Sequence, residues 1–182
     1  MNKSEIRKKI LKMRSKNSSM TNQIDFNFLH KTLKKLNAPD KIIGGYYPFN
    51  YEVDTLEILE KLEKRNYIIS LPKIKKNYQM NFFAWSTKDP LGINNYGIPE
   101  PISKKILYPN ILLVPLVAFD NHLNRIGYGG GFYDRYIYKI KKKKKKKIIT
   151  IGLAYYFQKI KKVPINKHDL KLDIIVTNRN PK

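Results

Sequence analysis

The stretch that decides the fold is ILLVPLVAFDNHLNRIGYGGGFYDR, residues 111–135. Its first part, residues 111–118, is an almost unbroken apolar run interrupted only by Pro115, which is typical of a strand in the centre of a parallel sheet. The second part, residues 119–131, is a loop that ends in four glycines among five residues, and a helix is predicted from about Phe132. A strand, a glycine-rich loop and a helix in this order predict a site for a phosphate group.

The chemistry of the loop supports this prediction, because glycines let the backbone approach a bulky anion and direct several N–H groups at it. Arg125, which lies in the loop before its glycines, supplies a charge that would stabilise a transferring phosphoryl group, and Asp134 after the loop supplies a carboxylate for magnesium. The loop lacks the Gly-Lys-Ser/Thr ending of Walker A, and lysines lie where a dinucleotide-binding fold has its ribose-binding acid. A turn that only packs the helix on the strand remains the alternative.

Apolar residues at helical spacing predict three further helices. They lie over residues 4–16, 25–36 and 54–65. The second is expected to stop at Asn37, Ala38 and Pro39, because proline cannot continue a helix. Asp54, with Glu57 three residues later, predicts a capping box at the start of the third.

Short β-branched and aromatic runs predict the remaining strands. They lie over residues 41–47, 67–71, 80–85, 148–154 and 172–177. A long irregular loop is expected after Trp85, where prolines and glycines are frequent. Strands alternating with helices predict an α/β fold of three layers, with a mostly parallel sheet flanked by helices and ligands at the carboxyl ends of the strands.

Length and composition predict one packed domain over residues 1–182, since 42% of the residues are apolar. The chain contains no cysteine, which excludes disulfides, thiolate metal sites and a cysteine nucleophile and agrees with a reducing compartment. No segment is long and apolar enough for a transmembrane helix or a secretory signal. We therefore expect a cytoplasmic protein without a membrane partner.

The charge is extreme, with 37 basic and 14 acidic residues and a net charge of +23. Such a charge raises nucleic acid as a partner. However, 31 of the 37 bases are lysine and only six are arginine, whereas contacts to phosphates and bases favour arginine. The run over residues 139–147, eight lysines around Ile140, is expected to form an exposed low-complexity loop. We therefore attribute the charge to compositional bias and consider nucleic acid unfavoured as a partner.

Residues 114–120 and 124–135 closely resemble the signature of the 5-formyltetrahydrofolate cyclo-ligase family, also called 5,10-methenyltetrahydrofolate synthetases. Other matching positions follow the family's order along nearly the whole chain. They are Lys3 and Arg7, residues 52–55, 71–72, 80–85 and 97–101, Gln158, residues 163–164, His168, Asp169 and Asp173. The resemblance implies a fold of the ribose-5-phosphate isomerase and CoA transferase group.

The reaction that this resemblance implies is an ATP- and magnesium-dependent ring closure. ATP phosphorylates the formyl oxygen of 5-formyltetrahydrofolate, and N10 of the folate then attacks the activated carbon. Phosphate leaves, and the products are 5,10-methenyltetrahydrofolate, ADP and phosphate. Phosphorylation is needed because a formamide oxygen is a poor leaving group, so that catalysis consists mainly of positioning and charge stabilisation.

The resemblance also implies roles for individual residues. Arg125 is the expected catalytic residue, and the ATP-binding residues are Lys3, Arg7, Arg125, Gly127, Tyr128, Gly129, Gly130, Gly131, Phe132 and Tyr133. The folate-binding residues are Tyr47, Glu52, Tyr128, Gly129, Gly130, Gly131 and Phe132, with Trp85 as a weaker candidate, because aromatic strands are more often core. Asp134 and Asp169 are the expected magnesium ligands.

The expected partners are thus ATP and 5-formyltetrahydrofolate, which can carry a polyglutamate tail, and the expected state is a monomer. No removable leader is expected, because Lys3 already belongs to the implied ATP site. Two alternatives are a magnesium-dependent kinase of another small molecule and a basic RNA-associated protein that keeps a nucleotide fold.

Overall fold

The computed structural model describes residues 1–17, 23–36, 41–75, 79–143 and 147–178. The α-helices in these ranges are α1 (Lys3–Lys16), α2 (Phe26–Lys35), α3 (Leu56–Glu63) and α4 (Phe132–Tyr138). The strands are β1 (Ile42–Gly44), β2 (Ile68–Lys75), β3 (Gln79–Ala84), β4 (Leu91–Ile93), β5 (Pro99–Pro101), β6 (Ile106–Leu107), β7 (Ile111–Pro115), β8 (Ala118–Phe119), β9 (Arg125–Ile126), β10 (Ile149–Ala154) and β11 (Ile174–Thr177). None of the described helices has the length and apolar character needed to cross a membrane.

Seven strands form the central sheet in the order β11-β10-β7-β1-β2-β3-β6. The first five are parallel, and β3 pairs antiparallel with both β2 and β6. Strand β7 lies between β1 and β10 inside the sheet, where Ile111 lies opposite Ile43 of β1 and Leu113 lies opposite Ile151 of β10. The mostly parallel sheet is therefore confirmed, and the segments after β1, β7 and β10 meet at its carboxyl edge.

Alternation along β7 places helices on both faces of the sheet. Ile111 and Leu113 belong to a core cluster that includes Leu59 and other side chains of α2 and α3. Leu112 belongs to a second cluster, with Ile137 of α4. Each such side chain contributes roughly 1.5–3 kcal/mol when it is fully buried. The two clusters account for three layers, with the sheet between α2 and α3 on one face and α4 on the other.

Helix α1 packs against a small antiparallel hairpin of β8 and β9. Asn2 and Glu5 form a reciprocal capping box at its start, which pairs backbone N–H groups that the helix leaves free. Ile6 and Ile10, one turn apart, bury their side chains against Val117 and its neighbours. This packing brings the first turns of α1 beside the glycine-rich loop that follows β9.

The apolar run over residues 111–118 is two strands rather than one. β7 ends at Pro115, which has no N–H group to continue the hydrogen-bonded ladder, and β8 begins at Ala118. β8 then pairs with β9, where Phe119 lies opposite Arg125, so the predicted loop over residues 119–131 contains a strand.

The expected capping box of α3 does not form. Thr55 precedes the helix, and the Asp54 carboxylate accepts a hydrogen bond from Leu56 N at 2.9 Å. Glu57 does not return to the helix start, because it forms an ion pair with Lys61 one turn later. The helix begins, but with a simpler cap than the sequence predicts.

Two predicted loops contain regular structure. The segment after Trp85 contains the antiparallel hairpin of β4 and β5, where Gly92 lies opposite Glu100. The lysine run begins as a π-helical turn, Lys139–Lys143, that continues α4 instead of starting an exposed loop. The expected helix stop at residues 37–39 and the lysines at 144–146 lie outside the described residues.

Gly44 in β1 provides a test of how tightly side chains of nearby strands pack over β1. A Cβ there would overlap Leu112 Cδ2 and lie 2.8 Å from Phe82 Cε1, and both neighbours are fully buried. Gly44→Ala should therefore lower the free energy of unfolding by about 1–3 kcal/mol, measured by chemical denaturation. The control is Gly92→Ala in β4, where the nearest atom would be 3.9 Å away. Equal stability of the two variants would contradict this packing.

Candidate functional site

The glycine-rich loop between β9 and α4 has a backbone that most residues cannot adopt. Gly129 and Gly131 have φ angles of +107° and +64°, which are strained for residues with a side chain. Arg7 of α1 donates a hydrogen bond from Nε to the carbonyl of Gly127 at 2.7 Å. The Arg7 guanidinium also lies 3.5 Å from the position of a Cβ on Gly129. Helix α1 therefore places a cation directly against the loop.

Arg125 fixes the other side of the loop. It is 8% exposed, and its guanidinium donates to the carbonyl of Leu170 at 2.8 Å and to Asp134 Oδ1 at 2.9 Å. The same oxygen of Asp134 accepts a hydrogen bond from Leu170 N at 3.1 Å. One guanidinium therefore joins β9, the first turn of α4 and the segment before β11.

Asp169 lies next to this junction and forms an ion pair with Lys3 at the start of α1. Its Oδ2 also accepts a hydrogen bond from Asn166 N. Burial alone would raise the pKa of Asp169, but the hydrogen bonds from Lys3 and Asn166 N outweigh it and lower the pKa. The carboxylate is therefore ionised at neutral pH.

Asp134 and Asp169 are the acidic side chains next to the loop that could hold a magnesium ion together with phosphate. The described residues contain no group of three or more metal-binding side chains, but magnesium needs only one or two carboxylates when phosphates and waters complete its shell. All hydrogen bonds of Asp134 within the described ranges go to Oδ1, and those of Asp169 go to Oδ2. Each carboxylate thus keeps one oxygen for a cation, and the bond from Leu170 to Asp134 holds the two segments together.

Glu52, in the segment after β1, is a buried acid at the carboxyl edge of the sheet. It is 8% exposed and accepts a hydrogen bond from Phe49 N at 2.9 Å. Burial raises the pKa of Glu52 to about 7, although the bond from Phe49, the charge of Arg14 and a bond from Tyr128 act in the opposite direction. Glu52 can therefore carry or release a proton near neutral pH.

Arg14 is a site residue that the sequence analysis missed. It is 1% exposed, and its guanidinium bonds to the Tyr128 hydroxyl and, at 3.4 Å, to the carbonyl of Leu116. The guanidinium also lies 5.5 Å from the centre of the Tyr128 ring. A signal was available, because Arg14 follows Ile10 by four residues and so falls on the buried stripe of α1.

Of the five arginines within the described residues, four contact the glycine-rich loop or the residues that flank it. Arg7 bonds to Gly127, and Arg14 bonds to Tyr128. Arg125 bonds to Asp134, and Arg135 donates to the carbonyl of Gly130. The chain has 31 lysines, yet arginines are concentrated at this loop. Because the planar, forked guanidinium matches the geometry of a phosphate, this concentration favours the loop as a binding site for an anion.

The structure brings most of the predicted residues together. Tyr128 joins the loop to Glu52, because its hydroxyl donates to the carbonyl of Phe49 at 3.3 Å. Phe132 packs edge-on against Tyr96 of the segment between β4 and β5, with 6.4 Å between the ring centres. Tyr47 is half-buried between β1 and Glu52.

The structure places Trp85, the weaker of the folate candidates, in the core. It is 7% exposed, lies in the core cluster under α2 and α3, and donates its indole N–H to the carbonyl of Asp89 at 3.2 Å. Aromatic residues at the end of a strand pack into a core when the sheet is covered on that face. The ring therefore packs in the core, and stacking of Trp85 on the folate stays a prediction.

Comparison with known proteins agrees with this geometry. Residues 1–178 match the family model described as the 5-formyltetrahydrofolate cyclo-ligase family. The chain belongs to the 5-formyltetrahydrofolate cyclo-ligase family. The predicted family resemblance is therefore confirmed over nearly the whole chain.

Relatives and solved structures of the family cover most of the chain. It is 35% identical to the 5-formyltetrahydrofolate cyclo-ligase of Haemophilus influenzae over 145 residues, which are 75% of each chain. Identity to the Mycoplasma pneumoniae enzyme of the same name is 29% over 98% of this chain and 99% of that one. The Aquifex aeolicus 5,10-methenyltetrahydrofolate synthetase structure has a TM-score of 0.74 at 28% identity and covers 99% of this chain and 91% of its own. The Mycoplasma pneumoniae structure, at 24% identity, shares the fold with a TM-score of 0.70 over 98% of this chain and 100% of its own.

The burial of Glu52 predicts how stability changes with pH. Its pKa is about 7 in the fold against an ordinary value of 4.5, so the folded state holds a proton that the unfolded state has lost between these two values. The stability that Glu52 contributes is complete below pH 4.5 and is lost as pH rises through 7. Glu52→Gln should match the wild type near pH 4 and exceed its free energy of unfolding by on the order of 3 kcal/mol above pH 7.

The measurement is chemical denaturation at several pH values, with Glu57→Gln as the control. The hydrogen bond and charge of Lys61 lower the pKa of Glu57, so this control should lose a little stability relative to the wild type above pH 4.5. A Glu52→Gln variant that is no more stable than the wild type at pH 8 would contradict the burial of an acid at this site.

Proposed function

We propose that the protein converts 5-formyltetrahydrofolate to 5,10-methenyltetrahydrofolate with ATP, releasing ADP and phosphate. The observation that carries this proposal is the convergence of the arginine-lined glycine loop and the buried acid Glu52, linked through Tyr128, at one edge of the sheet. A phosphate-binding loop beside a buried acid suits a reaction in which a phosphoryl group is transferred to a bound organic substrate. Membership of the family points to the same reaction.

We assign the ATP side of the site to the loop and the cations around it. The triphosphate would lie along residues 127–133, with Lys3, Arg7 and Arg125 as its charged partners. Support comes from the contacts of Arg7 and Arg125 on the two sides of the loop. Guanidinium groups that are already bonded to the fold lose little freedom when they bind an anion, which favours fast and correctly oriented transfer.

The folate side of the site would consist of Glu52, Tyr47 and the loop residues 128–132. Glu52 has a pKa near neutrality and so can accept a hydrogen bond from the pterin or donate one to it. Tyr128 would contact both substrates, because it lies on the loop and reaches the segment that holds Glu52. Both substrates would thus be held with the formyl oxygen next to the terminal phosphate.

The protein's part in the chemistry is to position the reactants and to stabilise charge. Arg125 would neutralise negative charge on the transferring phosphoryl group, as a preorganised donor that needs no rearrangement. Asp134 and Asp169 would hold the magnesium ion, which supplies positive charge to the phosphate oxygens when it is bound. After phosphorylation, N10 closes the ring and phosphate leaves.

Several further properties belong to the same proposal. The protein would act as a monomer of one domain in the cytoplasm, with the ribose-5-phosphate isomerase and CoA transferase type of fold. Its net charge of +23 would steer ATP and a polyglutamylated folate, both polyanions, toward the site. Lys141 and Lys142 are exposed and contribute to this field without belonging to the site.

The direct test is a rise in absorbance from methenyltetrahydrofolate when purified protein receives ATP, magnesium and 5-formyltetrahydrofolate. The rise should require all three and should match ADP release in a one-to-one ratio. ADP release without methenyltetrahydrofolate would favour a kinase of another small molecule. Folded protein that gives neither product would overturn the proposal.

Asp134→Asn tests the metal-binding role within this function. Asparagine keeps an oxygen for Arg125 and Leu170 but loses the charge, so the fold should survive while turnover falls by about 100-fold or more. Asp54→Asn is the control, because it changes an exposed aspartate that only caps α3. The absorbance assay gives the rates, and normal turnover in Asp134→Asn would remove Asp134 from the metal site.

A further inference from the structure

Two tyrosine hydroxyls of α4 are buried without a hydrogen-bond partner within the described part of the chain. They belong to Tyr133 and Tyr136. Both rings pack against Phe82 of β3, with 6.5 and 5.0 Å between the ring centres. Buried tyrosine hydroxyls are normally hydrogen-bonded, so each of these two needs an explanation.

The surroundings of the two hydroxyls differ. The charges that act on the Tyr133 hydroxyl are those of Glu52, from the segment after β1, and of Arg125, from β9. The Tyr136 hydroxyl instead has Tyr108 as its electrostatic neighbour. Tyr133 follows the glycine loop in sequence and directly precedes Asp134, which is bonded to Arg125. Of the two unpaired hydroxyls, that of Tyr133 is therefore the one next in sequence to the site, with charged neighbours on its folate side and on its phosphate side.

In the proposed reaction, one oxygen atom connects the folate to the phosphoryl group. It begins as the formyl oxygen and leaves as part of the released phosphate. We infer that the Tyr133 hydroxyl donates a hydrogen bond to this oxygen, which makes Tyr133 a further catalytic residue. The inference rests on the proposed function. It also explains why the fold keeps a buried donor without a partner, because the substrate is the partner.

The hydrogen bond would act when the ring closes. The N10 lone pair forms a bond to the activated carbon, and the carbon–oxygen bond breaks with its electron pair passing to the oxygen. The N10 proton ends on the departing phosphate, so no net proton leaves Tyr133. The hydroxyl stabilises the negative charge that develops on the leaving oxygen, as a donor already held in place.

Tyr133→Phe removes only the hydroxyl, and Tyr136→Phe is the matched control from the same helix. We expect kcat of Tyr133→Phe to fall by about 100- to 1000-fold, the loss seen when one donor to a developing oxyanion is removed. Its midpoint of thermal unfolding should be no lower than that of the wild type, because an unpaired hydroxyl stabilises nothing. Its Kd for a non-hydrolysable ATP analogue, measured by calorimetry, should stay within about twofold. Tyr136→Phe should keep the wild-type kcat.

Wild-type turnover in the same assay establishes the reaction itself, so the two proposals fail separately. The role of Tyr133 is overturned if Tyr133→Phe keeps kcat within twofold of the wild type, or if Tyr136→Phe loses as much. It is also overturned if Tyr133→Phe weakens binding of the ATP analogue while kcat is unchanged, since the hydroxyl would then contact ATP.

Discussion

The interaction on which the site depends is the contact of the Arg125 guanidinium with Asp134 and the carbonyl of Leu170. These three residues come from β9, α4 and the segment before β11, and Leu170 is 45 residues away from Arg125 in sequence. A nearly buried guanidinium is stable only when its donors are paired, and here the pairs are the segments that form the site. The contacts that make burial of the Arg125 charge possible are therefore the same contacts that bring the segments of the site together.

The net charge has two parts with different physical meaning. Most of it comes from lysines, many of them on the surface, which add to the long-range field around the molecule. The arginines are few, yet Arg7, Arg14, Arg125 and Arg135 all contact the glycine loop or its flanking residues. Lysine content follows compositional bias, whereas arginine marks positions where a planar, forked donor is needed.

The sequence was sufficient for the layered α/β fold and for the glycine loop, because period-two and helical patterns and glycine spacing are local signals. Arg14 escaped prediction because a basic residue on a helix is usually solvent-exposed, although its spacing from Ile10 places it on the apolar stripe that the structure buries. Trp85 was only a weaker folate candidate, because the sequence does not show which face of the sheet α2 and α3 cover, and its packing in the core depends on that. Glu57 forms an ion pair with Lys61 and does not cap the start of α3. The sequence spacing allows both interactions, so it does not predict which of them forms.

We propose that the loop over residues 127–134 and the first turns of α1 together bind the phosphates. Hydrogen–deuterium exchange of the full chain, followed by mass spectrometry with and without ADP and magnesium, tests it most directly. We expect slower exchange in residues 127–134, around Lys3 and Arg7 and around Asp169, with little change elsewhere. Protection confined to residues 139–147, or no change in the loop at saturating ADP, would contradict it.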